Sequence, residues 1–376
     1  MKDLTKNKIN RLILSPCGTS LLTNGVPEEL RKLVFKHANA PKPVSGAEGD
    51  LLTRHLEARR AEFPGLSPPE AARLSAEING LYRLYAGHFA KGQKDTHLLL
   101  ATDTWLGKET AQMVKAWLKQ QGIGDVQVWD DIGGLRTDSL ENFHCAVADL
   151  VRRLHETLPG YAQGGYRIIF NLTGGFKSIQ GVLQTLAQFY ADEAVYIFET
   201  SSELLRIPKL PVVLDILPSI KRHLKVWRRL ALGLPVNLGE CRKLPDSFLL
   251  NIGGEVVLSP WGELIWQQGK RQVYEERFWE PPSDLIEWNE KFEKDVNRLP
   301  PDRRYEINKR MDELAEHLER PDHPNPKSLN CKTLEGKPIS GCTHEIYAWS
   351  DRGAARIYGV CHGHRRFEIK QLGEHL

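Results

Sequence analysis

The chain lacks the features that mark several large classes of protein. It has no run of about 18 apolar residues and begins with the polar segment Met1–Lys6, so neither a membrane-spanning helix nor a signal peptide is predicted. Its six cysteines include no CxxC pair, which argues against a disulfide framework or a zinc ribbon. A net charge of only +3 argues against a protein that coats nucleic acid by bulk electrostatics. These absences predict a soluble cytoplasmic protein with reduced thiols and no membrane partner.

The most informative segment is the apolar run Ile168–Phe170 followed by Asn171-Leu-Thr-Gly-Gly-Phe-Lys177. It predicts a buried strand, a glycine turn and a helix that begins at Lys177. Such a turn brings backbone N–H groups close to an anion, and the positive end of the helix dipole favours phosphate. The dinucleotide fingerprint GxGxxG and a complete Walker A loop are both missing, which disfavours a nicotinamide enzyme and a P-loop enzyme.

Strand and helix signals alternate along the first 220 residues. Strands are predicted at Leu12–Leu14, His97–Ala101, Val126–Trp129, Arg167–Asn171 and Ala194–Phe198. Helices are predicted from Pro27 onward and at Leu51–Phe63, Pro69–Ala90, Lys108–Gln121, Ser139–Leu158 and Lys177–Ala191. This β-α-β rhythm predicts an α/β fold with a mostly parallel sheet and helices on both faces. Ligands bind such sheets where the carboxyl ends of the strands open into loops.

Three of the predicted strand ends are followed by glycine and small polar residues. If those strands are neighbours in the sheet, the three loops form one polar crevice. The candidate ligand-binding residues are Ser15, Gly18, Thr19, Ser20 and Asn24 in the first loop, Thr102, Asp103 and Thr104 in the second, and Asn171, Thr173, Gly174, Gly175 and Lys177 in the third. The alternative interpretation is that these residues only cap helices and shape tight turns.

The first 220 residues resemble a CARF domain, the CRISPR-associated Rossmann-like sensor of type III immunity. The resemblance extends over about residues 7–217 and rests on the segments Leu14–Asn24, Phe170–Lys177 and Val195–Glu199. It implies a Rossmann-like domain at 1–220 and a homodimer that binds a cyclic oligoadenylate, most often the tetra-adenylate, across its two-fold axis. This allosteric activator is the only small molecule implied. The glycine loops would contact its phosphates and riboses, and Lys177 would offset its charge.

Residues 221–283 follow a different pattern, which predicts a small linker module that contains β-structure. Gly253-Gly254 lies between two apolar runs and predicts a hairpin. Leu264–Trp266 is predicted as a further strand. The double proline Pro281-Pro282 is predicted to mark the end of the module.

Two features of this module admit two interpretations. The basic stretch Lys221–Arg229 is interpreted as a solvated helix face, with a polyanion contact as the alternative. The tryptophans Trp261, Trp266 and Trp279 are interpreted as core or interface residues, with base-stacking platforms as the alternative.

Residues 284–376 are predicted to form an α+β domain. Ile307, Met311, Leu314 and Leu318 recur at helical spacing and predict a helix that Asp302 caps. Three short antiparallel strands are predicted to follow, at His344–Trp349, Ala354–Val360 and Arg366–Gln371. The segment Cys361–His364 is placed in the turn between the last two strands, and no metal site is predicted there.

This domain resembles a RelE-type mRNA interferase, a small toxin that cuts mRNA in the ribosomal A site. The matching segments are Arg303–Leu318, Asn325–Leu329, Lys332–Gly336, Arg356–Val360 and Leu372–His375. The resemblance covers the chain from about residue 283 to its end. It implies a metal-independent endoribonuclease whose partners are the ribosome and mRNA. The mRNA 2′-OH would attack the adjacent phosphate, leaving 2′,3′-cyclic phosphate and 5′-OH ends.

The resemblance also implies roles for two basic residues. Arg356 lies where the family carries the arginine that holds the scissile phosphate, and His375 lies where it carries the acid. Arg352 is a further catalytic candidate, with a surface charge as the alternative. The aromatic residue that usually follows the terminal basic residue is missing here.

The general base is left open between two residues. Many family members place two lysines on the strand before the arginine, whereas this chain has His344-Glu345-Ile346-Tyr347. Either Glu345 or His344 is therefore the base. Strand alternation predicts Glu345 and Tyr347 on one face and His344 on the other. Tyr347 or Trp349 is the candidate for stacking the reacting base.

The sequence as a whole predicts a cyclic-oligoadenylate-activated, ribosome-dependent endoribonuclease of type III CRISPR immunity, which halts translation. The N-terminal dimer would sense the signal, the linker module would transmit it, and the toxin-like domain would cleave mRNA. One alternative is a ligand-activated ribonuclease that acts on free single-stranded RNA. Another is a non-enzymatic, ligand-regulated factor that binds nucleic acid.

Overall fold

The computed structural model describes residues 10–198, 203–320, 322–334, 339–351, 353–363 and 365–374. The chain folds into two compact units, Met1–Val212 and Val213–Leu376. The boundary between them lies a few residues before the one predicted at 220, and the boundary predicted at 283 falls inside the second unit.

The first unit is built on a six-stranded sheet. Its strands are β1 (Arg11–Cys17), β2 (Thr96–Ala101), β3 (Asp125–Trp129), β4 (Arg167–Asn171), β5 (Glu193–Ile197) and β6 (Leu204–Pro208). Its helices are α1 (Ser20–Thr23), α2 (Glu28–Lys36), α3 (Gly46–Glu62), α4 (Pro68–Leu74), α5 (Ala76–Leu84), α6 (Trp105–Gln120), α7 (Leu140–Gln163) and α8 (Lys177–Tyr190). The strand order is β3-β2-β1-β4-β5-β6, and only the pairing of β5 with β6 is antiparallel. The predicted mostly parallel sheet is confirmed.

The central strands of this sheet are buried on both faces. Leu12–Leu14 in β1 and Leu98–Leu100 in β2 are at most 2% exposed. Continuous apolar runs of this kind are typical of parallel strands that helices cover on both sides. The sequence pattern found these strands for that reason.

Two predictions for the first unit need correction. The helix predicted at Pro69–Ala90 is two helices, α4 and α5, because Ser75 adopts an extended conformation between them. Its hydroxyl accepts the Ile78 N–H at 3.2 Å and so starts a new helix. The edge strand β6 was not predicted.

The second unit combines helices with a five-stranded sheet and a hairpin. Its helices are α9 (Leu217–Arg222), α10 (Leu224–Ala231), α11 (Leu238–Cys241), α12 (Pro260–Glu276), α13 (Glu290–Asn297) and α14 (Pro301–Glu319). Its strands are β7 (Leu249–Ile252), β8 (Glu255–Leu258), β9 (Ile286–Glu287), β10 (Lys332–Thr333), β11 (His344–Trp349), β12 (Ala355–His362) and β13 (Arg366–Glu374). The hairpin β7-β8 and the antiparallel pairs β11-β12 and β12-β13 agree with the predicted elements. The sheet order is β10-β11-β12-β13-β9.

Three local predictions for this unit were wrong. Leu264–Trp266 lies in α12, where Ser259 accepts the Gly262 N–H at 3.1 Å and Pro260 occupies the first turn. Asp302 lies within the first turn of α14, and its N-cap position is Pro300. Cys361 and His362 belong to β12, so the turn comes later, at Gly363, whose φ is 58°.

The predicted linker module packs on the long helix of the C-terminal segment. Arg228 of α10 is fully buried and forms an ion pair with Asp312 of α14, with 2.7 Å between Nε and Oδ1. Its other nitrogens donate to the carbonyl oxygens of Glu280 at 2.6 Å and Asn308 at 3.1 Å. Removing one partner of such a buried pair typically costs about 3–5 kcal/mol. Across the described part of the chain, no helix is both long and apolar enough to cross a bilayer.

Candidate functional sites

The loops that follow β1 and β4 lie at a topological switch point of the first sheet. β1 pairs in parallel with β2 on one side and with β4 on the other. The chain leaves β1 toward β2 and β3 and then returns to the opposite side for β4. The two loops therefore diverge and open a crevice at the carboxyl ends of the strands, which is where doubly wound sheets bind ligands.

The two glycine loops touch each other across this crevice. A Cβ atom added to Gly18 would lie 3.2 Å from the Cα atom of Gly175. Gly175 itself has a φ of 88°, and a Cβ there would lie 2.8 Å from Cβ of Pro16. Only glycine allows both the close approach and the left-handed backbone. The predicted adjacency of the first and third loops thus holds in the fold.

Ser15 and Asn171 join the two strand ends from inside the protein. Both side chains are fully buried, and the Asn171 amide donates to the Ser15 hydroxyl at 3.1 Å. The same amide donates to the Glu77 carbonyl at 3.0 Å, which adds α5 to the contact. A Cβ at Gly80 would lie 2.1 Å from Asn171 Oδ1, so α5 packs directly on the loop. These contacts hold the crevice together rather than line its open side.

Glu77 is the residue of this site that the sequence analysis missed. Its carboxylate accepts the Gly18 N–H at 2.8 Å and the hydroxyls of Ser75 at 2.7 Å and Ser20 at 3.3 Å. A Cβ at Gly174 would lie 2.4 Å from the same carboxylate. Glu77 is only 1% exposed. It therefore contacts both glycine loops from the buried side of the crevice. The Gly18 N–H is therefore committed to Glu77 and is not free for a ligand, contrary to the expectation for that glycine.

The open side of the crevice offers a helix terminus and a cation. α8 begins at Lys177, and within the described part of the chain no side chain caps its first turn. Its leading N–H groups therefore keep the partial positive charge that favours an anion. Lys177 is exposed, whereas Thr19 and Thr173 are partly buried. Gln180 steadies the loop by donating to the carbonyl oxygens of Leu172 at 3.2 Å and Gly174 at 2.8 Å.

The second predicted loop forms mainly internal contacts. Thr104 caps α6 by accepting the Gly107 N–H at 3.1 Å, and it also bonds the Thr102 hydroxyl at 2.8 Å. Asp103 forms ion pairs with Lys108 at 2.9 Å and Arg136 at 3.1 Å. Desolvation opposes the shift, yet the Gly134 N–H and these two cations lower the pKa of Asp103. Asn24, from the first loop, similarly donates to the Leu74 carbonyl at 3.0 Å.

The second candidate site lies on one face of the five-stranded sheet. The opposite face carries Ile346, Ile357 and Phe367, which share a buried core with Ile307 and Met311 of α14. The antiparallel register aligns Lys332 with Glu345, Glu345 with Tyr358, and Tyr347 with Arg356. Residues aligned in this way share a face. The polar side chains therefore collect on the face that α14 does not cover.

Arg356 is the centre of this polar cluster. Its guanidinium carbon lies 3.8 Å from the ring centroid of Tyr347, and its Nε lies 4.0 Å from Oε1 of Glu345. Nη1 donates to the Ala355 carbonyl at 3.0 Å, but Nε has no hydrogen-bond partner among the described residues. Arg356 is only 3% exposed. A buried guanidinium with an unused donor is costly to the fold. This Nε atom is itself buried, so an anionic oxygen reaches it only if neighbouring side chains move.

Glu345 and His344 lie in different surroundings, as strand alternation predicts. Glu345 is 6% exposed and forms an ion pair with Lys332 at 3.2 Å, beside Arg356. His344 aligns instead with Thr333 and Gly359. Its ring contacts the hydroxyls of Thr343 at 2.9 Å and Thr333 at 3.5 Å. Glu345, and not His344, therefore belongs to the Arg356 cluster.

Two of the predicted catalytic residues, His375 and Arg352, lie outside the described residues. The last described residue, Glu374, aligns with Ala355, and its neighbour Gly373 aligns with Arg356. The Tyr358 hydroxyl donates to the Glu374 carbonyl at 2.7 Å. The end of β13 is thus fixed beside the polar cluster.

A model of a known protein family matches part of the first unit. Residues 72–210 match the family model Cas_APE2256, described as a CRISPR-associated protein. No curated protein matches the chain. The matched range begins in α4 and ends just after β6, so it includes Glu77, the glycine loop of Asn171–Phe176 and five of the six strands. This match supports the assignment of the chain as a CRISPR-associated protein.

Proposed function

We propose that the protein is a ribosome-dependent endoribonuclease of type III CRISPR immunity that a cyclic oligoadenylate activates. The first unit would bind the activator, as a homodimer, and the second unit would cleave mRNA in the ribosomal A site. The family match of residues 72–210 supports the CRISPR setting. The activator, the dimer, the ribosome and the cleavage reaction are proposals.

The sensor assignment is supported by the crevice at the switch point. Cyclic oligoadenylates are polyanions, and the crevice offers the uncapped start of α8 and the exposed Lys177. Its glycines leave no room for side chains between the loops. A two-fold symmetric ring of four adenylates would suit a site that two copies of the chain build together.

The observation that carries the nuclease proposal is the environment of Arg356. Its guanidinium is held against Tyr347, it lies beside Glu345, and its Nε donor is unused among the described residues. A fixed cation next to a carboxylate is what cleavage of RNA by its own 2′-OH requires. Lys332, which pairs with Glu345, adds a second cation at the edge of the cluster.

In the proposed reaction, the 2′-OH oxygen of the mRNA forms a bond to the adjacent phosphorus, and the bond from phosphorus to the 5′-oxygen breaks. Glu345 accepts the proton of the 2′-OH. Arg356 donates hydrogen bonds to the phosphorane oxygens, where negative charge develops. His375 gives a proton to the departing 5′-oxygen, and Tyr347 stacks on the reacting base. The products are a 2′,3′-cyclic phosphate and a 5′-OH.

The test uses the purified full chain on two substrates, mRNA on translating ribosomes and the same mRNA free in solution. Each is incubated with and without cyclic tetra-adenylate, and the new RNA ends are identified chemically. The proposal expects cleavage only on ribosomes, strongly enhanced by the ligand, with cyclic-phosphate ends. Cleavage of free RNA would favour a ribosome-independent nuclease, and ligand-dependent RNA binding without cleavage would favour a binding factor.

The choice of base is tested in the same assay with Glu345→Gln and His344→Gln. Because Glu345 lies beside Arg356 and His344 contacts threonine hydroxyls, Glu345→Gln should reduce single-turnover cleavage about 10²-fold or more. His344→Gln should have a small effect. The opposite ranking would assign the proton transfer to His344.

A further inference from the structure

The second unit contains a groove that neither the sensor crevice nor the Arg356 cluster uses. It has a volume of about 390 Å³ and opens between α9, the start of α10 and the segment that follows α12. Cationic side chains and indole rings share its walls. They are Lys221, Arg222, Lys225, Arg277, Trp279 and Trp288.

The cations of this groove differ in how they are paired, and two carboxylates, Glu280 and Glu293, line it as well. Lys221 forms an ion pair with Glu276, and Lys225 forms one with Asp284 at 2.6 Å. Arg222 and Arg277 are exposed and have no acidic partner among the described residues. Two arginines in the groove are therefore available to an external anion.

A histidine next to the groove is affected by the nearby cations. Burial, and then the nearby charges of Lys243 and Arg222, lower the pKa of His223. His223 lies in the turn between α9 and α10, next to the groove residue Arg222.

The aromatic wall is held in place before any ligand arrives. Asn308, fully buried in α14, donates to the Arg277 carbonyl at 2.8 Å and accepts the Trp279 backbone N–H at 3.0 Å. The Trp279 indole N–H donates to the Val273 carbonyl at 2.7 Å. The Arg277 guanidinium carbon lies 4.0 Å from the Trp279 ring centroid. Trp288, on the other wall, is half-buried and donates to Glu293 at 3.3 Å.

Indole faces beside unneutralised arginines are the combination that binds single-stranded nucleic acid. Bases stack on the rings, and phosphates are bound by the guanidinium groups. In a duplex, the base faces are stacked on one another and cannot stack on an indole ring. An acidic peptide has no base that could stack there. We propose that this groove binds a single-stranded segment of RNA, with a base on Trp288 and phosphates beside Arg222 and Arg277. Binding here requires neither the activator nor cleavage, and only the choice of RNA over DNA rests on the proposed function.

The experiment measures binding of a fluorescent 20-nucleotide single-stranded RNA to the full chain carrying Arg356→Ala, which suppresses cleavage. The paired substitution Arg222→Ala with Arg277→Ala should weaken binding at least tenfold. Because two phosphate contacts are lost, the slope of log affinity against log salt should shrink by about 1.4. The matched control is Arg242→Ala with Arg298→Ala, which removes two exposed arginines of the same unit that do not line the groove. It should change the affinity less than twofold.

A second variant tests the aromatic wall independently of charge. Trp288→Leu keeps an apolar side chain but removes the stacking face, and it should weaken single-stranded RNA binding about fivefold or more. Duplex RNA of the same length should bind more weakly and should not respond to this change. The affinity for single-stranded DNA of the same sequence shows whether the groove distinguishes ribose from deoxyribose. Thermal melting checks that each variant is folded.

Two results would overturn the proposal. One is equal RNA affinity for the arginine pair variant and its control. The other is tight duplex binding together with no effect of Trp288→Leu, which would make the groove an unspecific polyanion surface. A chain that binds RNA through the groove but shows no ligand-dependent cleavage would refute the proposed function and leave this site intact.

Discussion

The crevice at the switch point of the first sheet and the Arg356 cluster of the second unit are built in opposite ways. In the crevice, the predicted polar side chains Ser15, Asn171 and Asp103 bond to the protein itself, and the space for a ligand depends on glycine backbone. In the cluster, the side chains themselves form the site, with Arg356 held against Tyr347 and beside Glu345 on one face of the sheet. Side-chain deletions should therefore damage the second site most, and added methyl groups should damage the first.

The largest effect is expected for Arg356→Ala. Losing a donor aimed at developing negative charge commonly slows a reaction about 10²- to 10³-fold. Single-turnover cleavage of ribosome-bound mRNA measures this loss. The matched control is Arg366→Ala, which removes an exposed arginine of the same unit that pairs with Glu287. Cleavage by Arg356→Ala within a few-fold of the unsubstituted chain would mean that the cluster is not the catalytic site.

Gly174→Ala should damage the crevice by overpacking it. The new methyl group would lie 2.4 Å from the Glu77 carboxylate, and overpacking of this kind costs about 1–3 kcal/mol. The same substitution should weaken binding of cyclic tetra-adenylate about 5- to 150-fold, because the displaced loop no longer holds the shape that the ligand needs. Isothermal titration measures the affinity.

Gly181→Ala provides the control for that experiment. Gly181 lies on the exposed side of α8, and among the described residues no atom outside its own stretch of helix lies within 4 Å of an added Cβ. Alanine there should leave ligand binding unchanged and favour the helix by up to about 1 kcal/mol. Equal binding by both glycine variants would contradict the view that close backbone contact shapes the crevice.

The first unit should also lose stability in acid because of a buried histidine. Burial, and then the charge of Arg11, lower the pKa of His97 to about 3. Between about pH 6.5 and pH 3, the unfolded chain binds a proton there that the folded chain does not. The free energy of unfolding should therefore fall by about 1.4 kcal/mol for each pH unit below 6.5.

Urea denaturation of the full chain between pH 4.5 and 7 measures this dependence. His97→Gln should flatten it by about that slope, whereas His88→Gln, at an exposed position, should not. If the free energy of unfolding fell equally with pH in the unsubstituted chain and in His97→Gln, the loss of stability in acid would not come from His97.

The smallest effect is expected for Lys177→Ala. An exposed cation near a phosphate is worth a few tenths of a kcal/mol to about 1 kcal/mol, so activator affinity should fall about two- to fivefold. The salt dependence of binding should weaken as well, while cleavage without ligand stays unchanged. Lys119→Ala, at an exposed position near the end of α6, is the control. A complete loss of binding would mean that the crevice depends on this side chain more than on its backbone.

Much of the fold followed from the sequence because its signals are local. Continuous apolar runs gave the buried parallel strands, and Gly253-Gly254, with φ values of 59° and 91°, gave the hairpin. The edge strand β6 was missed because its residues are largely exposed or half-exposed and carry no clear pattern. Helix α12 was misread because its short apolar run Leu264–Trp266 outweighed the start signal Ser259-Pro260.

The crevice and the Arg356 cluster differ in how much of their structure could be predicted from the sequence. The pairing of Tyr347 with Arg356 follows from the register of one hairpin. Glu77 could not be placed, because it lies 59 positions from Gly18 and only the fold brings α5 beneath the loop. A weak signal was present, since Ser75 followed by Glu77 is typical of a helix start.

The most direct test of the account is the fold activation of mRNA cleavage by cyclic tetra-adenylate on translating ribosomes, compared between the unsubstituted chain and Gly174→Ala. The account predicts about 5- to 150-fold activation of the unsubstituted chain, the usual range of allosteric coupling. Gly174→Ala should need about 5- to 150-fold more ligand for half-maximal activation, so at a ligand concentration that half-activates the unsubstituted chain its activation should be clearly smaller. Equal activation of both chains, or none in either, would contradict it.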